Sequence, residues 1–345
     1  MNEWIDELSD LTAAGDSAVL VTISGIRGST PRETGAKMIV TARETIGTIG
    51  GGQHDHQCTH IAAGLLGEAA KPETRRFPLG PSLGQCCGGV VDVLFEPVGS
   101  GLPEWLRDLR ALHGQREPSV LVTATDSGTK FVVTGDDVFG IDAGSCDPEI
   151  LARARGILHD GEAGVNRATF YEPVRASEFN IAVFGAGHVG AAVVNVLSEL
   201  DCNIRWIDSR PGIFRAVPRN AKAIETSEPA LEVAAMPPSS FYLVMTHSHP
   251  LDFDICDRVL RRGDAAYCGL IGSLTKRRRF EKRFRQQGLS GSAIDQLVCP
   301  IGVAGISGKK PAEIAIAAAA EILRAHEKSL TQETALPGNV QPIRN

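Results

Sequence analysis

The stretch that most constrains the fold is 180–210, where a strand, a glycine turn, a helix and a second strand follow one another. It opens with a short apolar run, residues 181–184, of the kind that forms a buried parallel strand. This run leads into Gly185, Gly187 and Gly190, which have the spacing GxGxxG. In such a turn the first glycine permits a tight bend, the second lets the backbone approach a phosphate, and the third lets the helix pack on the strand.

The residues after the glycine turn complete the pattern. A helix is predicted to begin near His188, because apolar residues recur at helical spacing as far as Leu200. A second apolar run, residues 204–207, ends on Asp208, close to the distance at which an acid receives a nucleotide ribose. The order strand, turn, helix, strand and acid predicts a nucleotide-binding Rossmann unit. The helix N-terminus favours an anion, either the phosphate of NAD(P) or another nucleotide or that of a phosphorylated pterin.

Two charged residues bear on the form of the ligand. Asp208 suits a free 2′-hydroxyl, whereas Arg210 faces either a 2′-phosphate or solvent, and we favour a solvated turn residue. Further along, residues 241–246 predict a strong strand, after which His247 and His249 follow at its carboxyl end. Ligands bind at that end in open α/β sheets, so both histidines are candidate cofactor-binding residues. Asp252 fits a ligand contact and a helix cap equally well.

A polar connector at residues 175–180 separates two predicted domains. Residues 1–177 form an N-terminal α/β domain with a sub-boundary near 100–117. Residues 178–328 form a Rossmann-like, doubly wound parallel-sheet domain, and residues 329–345 a disordered tail. The fold class is therefore α/β. No repeat is evident at the periods of solenoid proteins.

Composition excludes several classes of partner. The chain has 345 residues, 43% of them hydrophobic and 22% charged, which is typical of a globular protein of two domains. Its net charge of −6 argues against nucleic acid as the main partner. No apolar run approaches the ~20 residues of a membrane span, and the acidic N-terminus lacks a signal-peptide profile. These features predict a cytoplasmic protein without a membrane partner.

Two loops of the N-terminal half invite a chemical interpretation. The glycine- and hydroxyl-rich loop after residue 25 is flanked by Arg27, Arg32 and Lys37, and fits an anion site or an exposed hairpin connection about equally. The helix after three glycines, residues 50–52, carries three histidines, one aspartate and one cysteine, at positions 54, 55, 56, 58 and 60. Their spacing does not form a tetrahedral ligand set, so we predict a polar helix start and no metal site.

Adjacent thiols mark a third loop. Cys86 and Cys87 lie between runs of turn residues just before a strongly strand-like segment, residues 90–95. Such sulfurs act as soft metal ligands, accept a sulfane sulfur or exchange disulfides, whereas two small buried hydrophobic residues are the alternative. The sequence leaves these two interpretations even. A fourth feature, seven cations between Lys276 and Arg285, fits a solvated basic face better than docking to an acidic partner or a phosphate.

Eight motifs in order resemble the xanthine dehydrogenase accessory protein family (XdhC/CoxI). They span nearly the whole chain: GSTPRETGAKMIV, GTIGGG, LGQCCGG ahead of VVDVLFEPV, FGAGHVG, WIDSR, MTHSHPLDFDIC, GLIGSLTKRRRF and PAEIAIAAAAEIL. The resemblance implies a carrier, and not an enzyme in itself, that binds molybdenum cofactor, supports its sulfuration and delivers it to a molybdenum hydroxylase of the xanthine dehydrogenase type. A cysteine desulfurase as a second partner and a homo-oligomeric assembly are implied in the same way.

Carried onto matching positions, the resemblance puts Cys86 and Cys87 in the family's QCCGG loop and the three glycines in its Rossmann turn. One departure concerns His54 and Asp55, where relatives have an apolar residue and then Glu. The cofactor's phosphate suits a helix N-terminus, and its sulfur-ligated molybdenum suits nearby thiols. The plain molybdopterin form and the dinucleotide form both fit. The alternatives are an NAD(P)-dependent oxidoreductase, suggested by the Rossmann turn alone, and a thiol redox protein built on the vicinal cysteines.

Overall fold

The chain divides into two compact units, Met1–Ala176 and Ser177–Asn345, called unit 1 and unit 2. The computed structural model describes residues 2–67, 71–79 and 88–334. Cys86 and Cys87 lie outside the described residues. Among the described residues, no helix combines the length and the apolar character that crossing a membrane requires.

Unit 1 contains two antiparallel five-stranded sheets with the same topology. The elements of the first are α1 (Glu3–Ala13), β1 (Ala18–Arg27), β2 (Lys37–Thr41), β3 (Thr45–Gly47), α2 (Gly52–Ala63), β4 (Glu73–Pro78) and β5 (Val90–Val98). Those of the second are α3 (Glu104–Gly114), β6 (Ser119–Ala124), β7 (Lys130–Val133), β8 (Val138–Phe139), a 3-10 turn (Ala143–Ser145), α4 (Pro148–Gly156), β9 (Gly164–Asn166) and β10 (Thr169–Val174). The strand orders, β3-β2-β1-β5-β4 and β8-β7-β6-β10-β9, correspond strand for strand.

The sequence of unit 1 carries the same duplication. The helix that opens each half begins with EW and continues with similar spacing, EWIDELSDL in α1 and EWLRDLRAL in α3. The strand that closes each half contains the same three residues, as LFEPV in β5 and FYEPV in β10. We therefore call the span from α1 to β5 repeat 1 and the span from α3 to β10 repeat 2.

Buried ion pairs join the two repeats reciprocally. Nζ of Lys37 in repeat 1 lies 2.9 Å from Oε2 of Glu172 in repeat 2. Nζ of Lys130 in repeat 2 lies 2.8 Å from Oε1 of Glu96 in repeat 1. All four side chains are less than a tenth exposed. Each ammonium also lies 4.9 Å from the ring centre of the tryptophan in its own repeat's opening helix, Trp4 or Trp105. Burial lowers the pKa of Lys37 while Glu172 opposes that shift, so this lysine depends on its partner.

Unit 2 is a parallel six-stranded sheet with helices on both faces. Its elements are β11 (Asn180–Phe184), α5 (His188–Leu197), β12 (Asn203–Asp208), β13 (Ala221–Glu225), a 3-10 turn (Pro229–Ala235), β14 (Phe241–Val244), α6 (His249–Arg262), β15 (Tyr267–Leu270), α7 (Leu274–Gln286), α8 (Gly291–Asp295), β16 (Leu297–Val298) and α9 (Pro311–Thr334). The strand order is β13-β12-β11-β14-β15-β16. This order reverses between β11 and β14, which confirms the predicted doubly wound, Rossmann-like sheet.

The core of unit 2 follows from the alternation of side chains along β11. Ile181 and Val183 point to the face covered by α5 and α9, whereas Ala182 and Phe184 point to the face covered by α6 and α7. Helix α9 continues past residue 328, after which the sequence predicts a tail, because its alanine- and glutamate-rich sequence favours helix and no proline lies between Pro311 and Pro337.

Replacing Lys37 by methionine should destabilise unit 1 by about 3–5 kcal/mol, because Glu172 would remain buried without its partner. The double variant Lys37→Met, Glu172→Leu should recover most of that loss, since no charge is left unpaired. Urea unfolding measures both. As a control, Arg107→Met removes the surface ion pairs of Arg107 with Glu104 and Asp108 and should change stability by less than about 1 kcal/mol. If the single and double variants lose the same amount of stability, Lys37 does not stabilise unit 1 by compensating the buried charge of Glu172.

Candidate functional site

Two glycines of the turn after β11 are required by packing. Gly185 has a φ of 116°, and a side chain there would collide with the carbonyl oxygen of Met245. A side chain at Gly190 would collide with the carbonyl oxygen of Gly185, so the helix could not pack this close to the strand. The turn therefore has the close strand-to-helix geometry that the GxGxxG spacing predicts.

Gly187 is different, because the protein itself does not require a glycine there. Its φ is −75°, which any residue adopts. Among the described atoms, a Cβ at this position would meet only Nη2 of Arg210, at 3.9 Å, which is an ordinary van der Waals distance. Gly187 also precedes the first residue of α5, and no side chain among the described residues caps that helix. The absence of a side chain leaves the backbone at the helix N-terminus open to a ligand.

Asp208 connects the end of β12 to this turn. Its side chain is buried, and Oδ2 accepts a hydrogen bond of 2.6 Å from the backbone N–H of Ala186. Arg210 donates to the same carboxylate from its backbone N–H at 2.9 Å, from Nε at 3.0 Å and from Nη2 at 2.7 Å. The predicted acceptor of a ribose hydroxyl thus already accepts four hydrogen bonds from within the chain.

Arg210 is held in place by this carboxylate, in contrast to the solvated turn residue that the sequence favoured. Its side chain is 37% exposed, and the fork geometry of guanidinium leaves further N–H groups free to bind an anion beside Gly187. Burial raises the pKa of Asp208, but the hydrogen bonds from Arg210 and Ala186 outweigh that effect and hold the pKa at about 2. The same pairing raises the pKa of Arg210. Asp208 therefore keeps its charge at neutral pH and orients the guanidinium.

The segment after β14 forms the other wall of the crevice at the switch point. Asp252 is buried there, and its Oδ1 atom accepts hydrogen bonds from Thr246, at 3.0 Å from N–H and 2.7 Å from Oγ1. Its Oδ2 atom accepts a 2.6 Å bond from Nζ of Lys276, the first cation of α7. Ser248, and not Asp252, caps α6. Asp252 and Lys276 thus fix the loops that follow β14 and β15, and neither is a free ligand contact.

Three histidines lie at the carboxyl edge of the two strands that flank the switch point. His188 is the first residue of α5, and His247 and His249 follow β14. All three are exposed. Their placement is that expected for residues reaching a ligand in the crevice. Beyond this wall, the basic face of α7 is partly engaged within the chain, because Arg283 stacks on Phe253 with its guanidinium 3.9 Å from the ring centre.

In unit 1 the cations predicted to flank the glycine- and hydroxyl-rich loop are separated. Lys37 is buried in its ion pair, contrary to that expectation, because it points between the two repeats. Nη2 of Arg27 lies 3.8 Å from Oδ2 of Asp92, so this cation forms an ion pair on its own strand's neighbour, β5. Arg32 reaches the neighbouring loop, where Nη1 donates to the carbonyl oxygen of Thr48 at 3.3 Å. Of the three, Arg32 is thus the cation placed next to the glycines that precede α2.

The described residues nearest in sequence to the vicinal cysteines lie beside the glycine- and hydroxyl-rich loop. Leu79 donates a backbone hydrogen bond of 2.8 Å to Gly89, and a side chain at Gly89 would collide with the carbonyl oxygen of Ser29. Cys86 and Cys87 themselves lie outside the described residues. Within the described ranges, no group of three or more His, Cys, Asp or Glu side chains is arranged to hold a metal ion.

Comparisons with known proteins place this geometry in context. The family model described as "XdhC Rossmann domain" matches residues 181–322, and the family model described as "XdhC and CoxI family" matches residues 11–78. A crystal structure described as that of a xanthine dehydrogenase from Bacillus halodurans is similar over 96% of this chain and 98% of its own, with a TM-score of 0.71 and 23% identity. That likeness shows a shared fold.

A curated relative extends the comparison in sequence. The protein YqeB of Escherichia coli (strain K12), described as uncharacterized, is 29% identical over 149 residues. The match covers 42% of this chain and 27% of YqeB, so the chain spans about a quarter of that relative's length.

Replacing Asp208 by asparagine should destabilise unit 2 at neutral pH by on the order of 2 kcal/mol, because Arg210 loses its charged acceptor. The carboxyl takes up a proton near its ordinary pKa of 3.8 when unfolded but near 2 when folded. Its contribution is therefore complete above pH 4 and is lost as the pH falls through about 2. The difference in the free energy of unfolding between wild type and Asp208→Asn, measured with urea, should therefore decrease as the pH falls from 4 to about 2.

The exposed Asp254 provides a control for this comparison, because among the described residues its ion pair is with Arg258 alone, on the surface of α6. Asp254→Asn should change stability by less than about 1 kcal/mol at neutral pH. If the difference in the free energy of unfolding between wild type and Asp208→Asn stays constant from pH 7 to pH 2, the stabilising negative charge is not that of Asp208.

Proposed function

Because this chain belongs to the XdhC and CoxI family, we propose that it acts in the maturation of a molybdenum hydroxylase of the xanthine dehydrogenase type. In this role it binds the molybdenum cofactor, supports its sulfuration and delivers it to the hydroxylase. Family membership supports the role in xanthine dehydrogenase maturation. The binding of the cofactor rests on the glycine turn of unit 2, and its sulfuration on the vicinal cysteines.

The glycine at position 187 is the main support for cofactor binding at this turn. Packing accounts for Gly185 and Gly190, whereas at Gly187 both the backbone and the surroundings would accept a side chain. A glycine there serves a group that comes from outside the chain and needs contact with the backbone. The N-terminus of α5 and the Arg210 guanidinium both attract an anion, and the pterin cofactor supplies one in its phosphate.

The pairing of Asp208 with Arg210 bears on the alternative of an NAD-dependent oxidoreductase. In NAD-binding Rossmann folds the acid at the end of the second strand accepts the ribose hydroxyls. Here that carboxylate accepts one hydrogen bond from Ala186 and three from Arg210. An arginine presented beside the turn suits a phosphate ester better than a free ribose. This arrangement favours the pterin phosphate over plain NAD.

The sulfuration proposal rests on sequence. Adjacent thiols at Cys86 and Cys87 have the chemistry to accept a sulfane sulfur or to contact a sulfur-ligated molybdenum. The partners this implies are a cysteine desulfurase as the source of sulfur and the hydroxylase as the recipient of the cofactor. We propose that a homo-oligomer in the cytoplasm carries out these steps, with the exposed histidines 188, 247 and 249 contacting the bound cofactor.

Replacing Gly187 by leucine should weaken cofactor binding by about 30-fold, or roughly 2 kcal/mol, because the side chain occupies the space where the phosphate meets the backbone. Folding should be retained, since the φ of −75° suits leucine. Asn195→Leu, an exposed position on the same helix, is the matched control and should bind normally. Molybdenum and pterin content after purification without oxygen measures both. A folded Gly187→Leu protein with a full cofactor load would refute the proposed phosphate site.

Replacing Cys86 or Cys87 by alanine should lower retained molybdenum or the activation of a co-expressed hydroxylase, because at least one thiolate is needed to handle sulfur or metal. Thermal melting should change little in the variant that affects delivery. Alanine is preferable to serine, because a buried hydroxyl without a partner adds a desolvation cost of its own. If both variants melt normally, load fully and deliver fully, the cysteines are packing residues.

A further inference from the structure

Trp206 lies on β12, and its side chain reaches the glycine turn that follows β11. Its indole Nε1–H donates a 3.1 Å hydrogen bond to the carbonyl oxygen of Gly185. The ring is 3% exposed, so water competes little for this bond. Trp206 and Asp208 are two residues apart on the strand, and their side chains therefore leave it on the same side. Both side chains bond to the turn.

Three consecutive residues of β12 bond three consecutive polar groups of the turn. The N–H of Gly185 donates to the carbonyl oxygen of Ile207 at 2.8 Å. The carbonyl oxygen of Gly185 accepts from Trp206. The N–H of Ala186 donates to Asp208 at 2.6 Å. The peptide group between Gly185 and Ala186 is thus bonded at both its oxygen and its nitrogen, and it cannot rotate without breaking two buried hydrogen bonds.

The next donors along the chain are those that the proposed phosphate would use. The N–H groups of Gly187 and His188 have no acceptor among the described residues, and no described side chain caps α5. Their direction depends on the peptide group just before them, because neighbouring planar peptide groups are joined at one Cα atom. Hydrogen bonding within the described chain thus ends where contacts with an external anion would begin.

The glycine at position 185 explains why the turn needs this restraint. Its φ of 116° lies in a region that glycine enters freely, and glycine has the most mobile backbone of all residues. A turn built on glycine gains a close approach to the helix, but it also gains freedom that ligand binding would have to remove. The two side chains of β12 remove that freedom in the folded protein.

Two neighbours hold the indole ring in place. The ring of Phe214 packs edge-on against it, with ring centres 5.1 Å apart. A Cβ at Gly190 would stand 3.7 Å from the indole nitrogen, so the first turn of α5 lies directly beside it. Phe214 belongs to the loop after β12, which also contains Arg210. The ring therefore links the glycine turn to the segment that presents the guanidinium.

We propose that Trp206 is a positioning residue of the cofactor site. Its indole N–H fixes the peptide group that follows Gly185 and thereby directs the N–H groups at the start of α5 towards the phosphate. This role rests on the function proposed for the glycine turn of unit 2. The competing account is that Trp206 only fills the core between β12 and α5. The two accounts differ in what they predict for the phosphate group of a ligand.

The test compares two pterins on the full chain. One carries a phosphate monoester on its side chain and the other the free hydroxyl, and pterin fluorescence gives the dissociation constant of each. The ratio of the two constants, called the phosphate preference, isolates the contribution of the phosphate. Trp206→Phe should lower this preference about fivefold, because the peptide group loses one hydrogen bond and must be ordered again on binding. Its affinity for the hydroxyl form should stay that of wild type.

Val193→Ala is the matched control for packing. Val193 is a buried residue of α5, and its truncation leaves a cavity in the same core without touching the turn. It should lower the melting temperature, as Trp206→Phe does, but keep the phosphate preference of wild type. A loss of preference in both variants would assign the effect to a general loosening of unit 2 and overturn the role of Trp206.

A measurement on the wild type does not depend on whether Trp206→Phe folds. The indole nitrogens of the three tryptophans are labelled with 15N, and the Trp206 signal is the one kept in both Trp4→Phe and Trp105→Phe. It should shift saturably with the phosphorylated pterin and not with the hydroxyl form. A Trp206 signal that does not move at saturation would overturn the proposal.

Two further outcomes separate the role of Trp206 from the phosphate site itself. If the wild type binds both pterins equally, the phosphate site of unit 2 is wrong, and the role of Trp206 is wrong with it. If the wild type prefers the phosphorylated form and Trp206→Phe keeps that preference in full, the phosphate site stands and Trp206 is a packing residue.

Discussion

The carboxylate of Asp208 is the constraint on which the ligand chemistry of unit 2 depends. It ties the end of β12 to the turn after β11 through Ala186 and holds the Arg210 guanidinium beside Gly187. A carboxylate buried in this way is tolerated because four hydrogen bonds compensate the loss of water. The turn is therefore set before any ligand arrives, and binding an anion does not require the loop to reorganise.

Unit 1 shows how a duplicated fold keeps its framework while one copy diverges. Each repeat contains a buried lysine, a buried glutamate and a tryptophan that contacts the lysine, and the two lysine–glutamate pairs cross from one repeat to the other, so each repeat depends on the other. The helices α2 and α4 differ in their first turns. In α4 the Asp147 side chain caps the helix and Ile150 lies in the first turn, whereas no described side chain caps α2 and its first turn contains the buried His54.

The sequence predicted the local elements of unit 2 well, because its strands and its glycine turn are encoded by short-range patterns. Apolar runs bounded by Gly185 and Asp208 suffice to locate β11 and β12. The hydrogen bonding of Arg210 to Asp208 was not predictable in the same way. An aspartate two residues before an arginine is compatible with a pair between the two side chains, and equally with a ribose acceptor beside a solvated cation. That choice depends on side-chain geometry.

Burial and long-range pairing account for the rest of what the sequence did not predict. Lys37 reads as a loop cation, and only the second sheet, more than a hundred residues further along the chain, buries it against Glu172. The histidines after Gly52 read as a polar helix start, so the burial of His54 was missed. The duplication was detectable in principle from EW and EPV in each half, but loops of unequal length separate the matching segments.

The central claim, that the glycine turn of unit 2 binds the phosphate of the molybdenum cofactor, is tested most directly by an experimental structure of the protein purified with its cofactor in the absence of oxygen. We expect the phosphate oxygens to lie about 2.7–3.2 Å from the backbone N–H groups at the start of α5 and from the Arg210 guanidinium. A cofactor bound with its phosphate elsewhere, and only solvent beside Gly187, would contradict it.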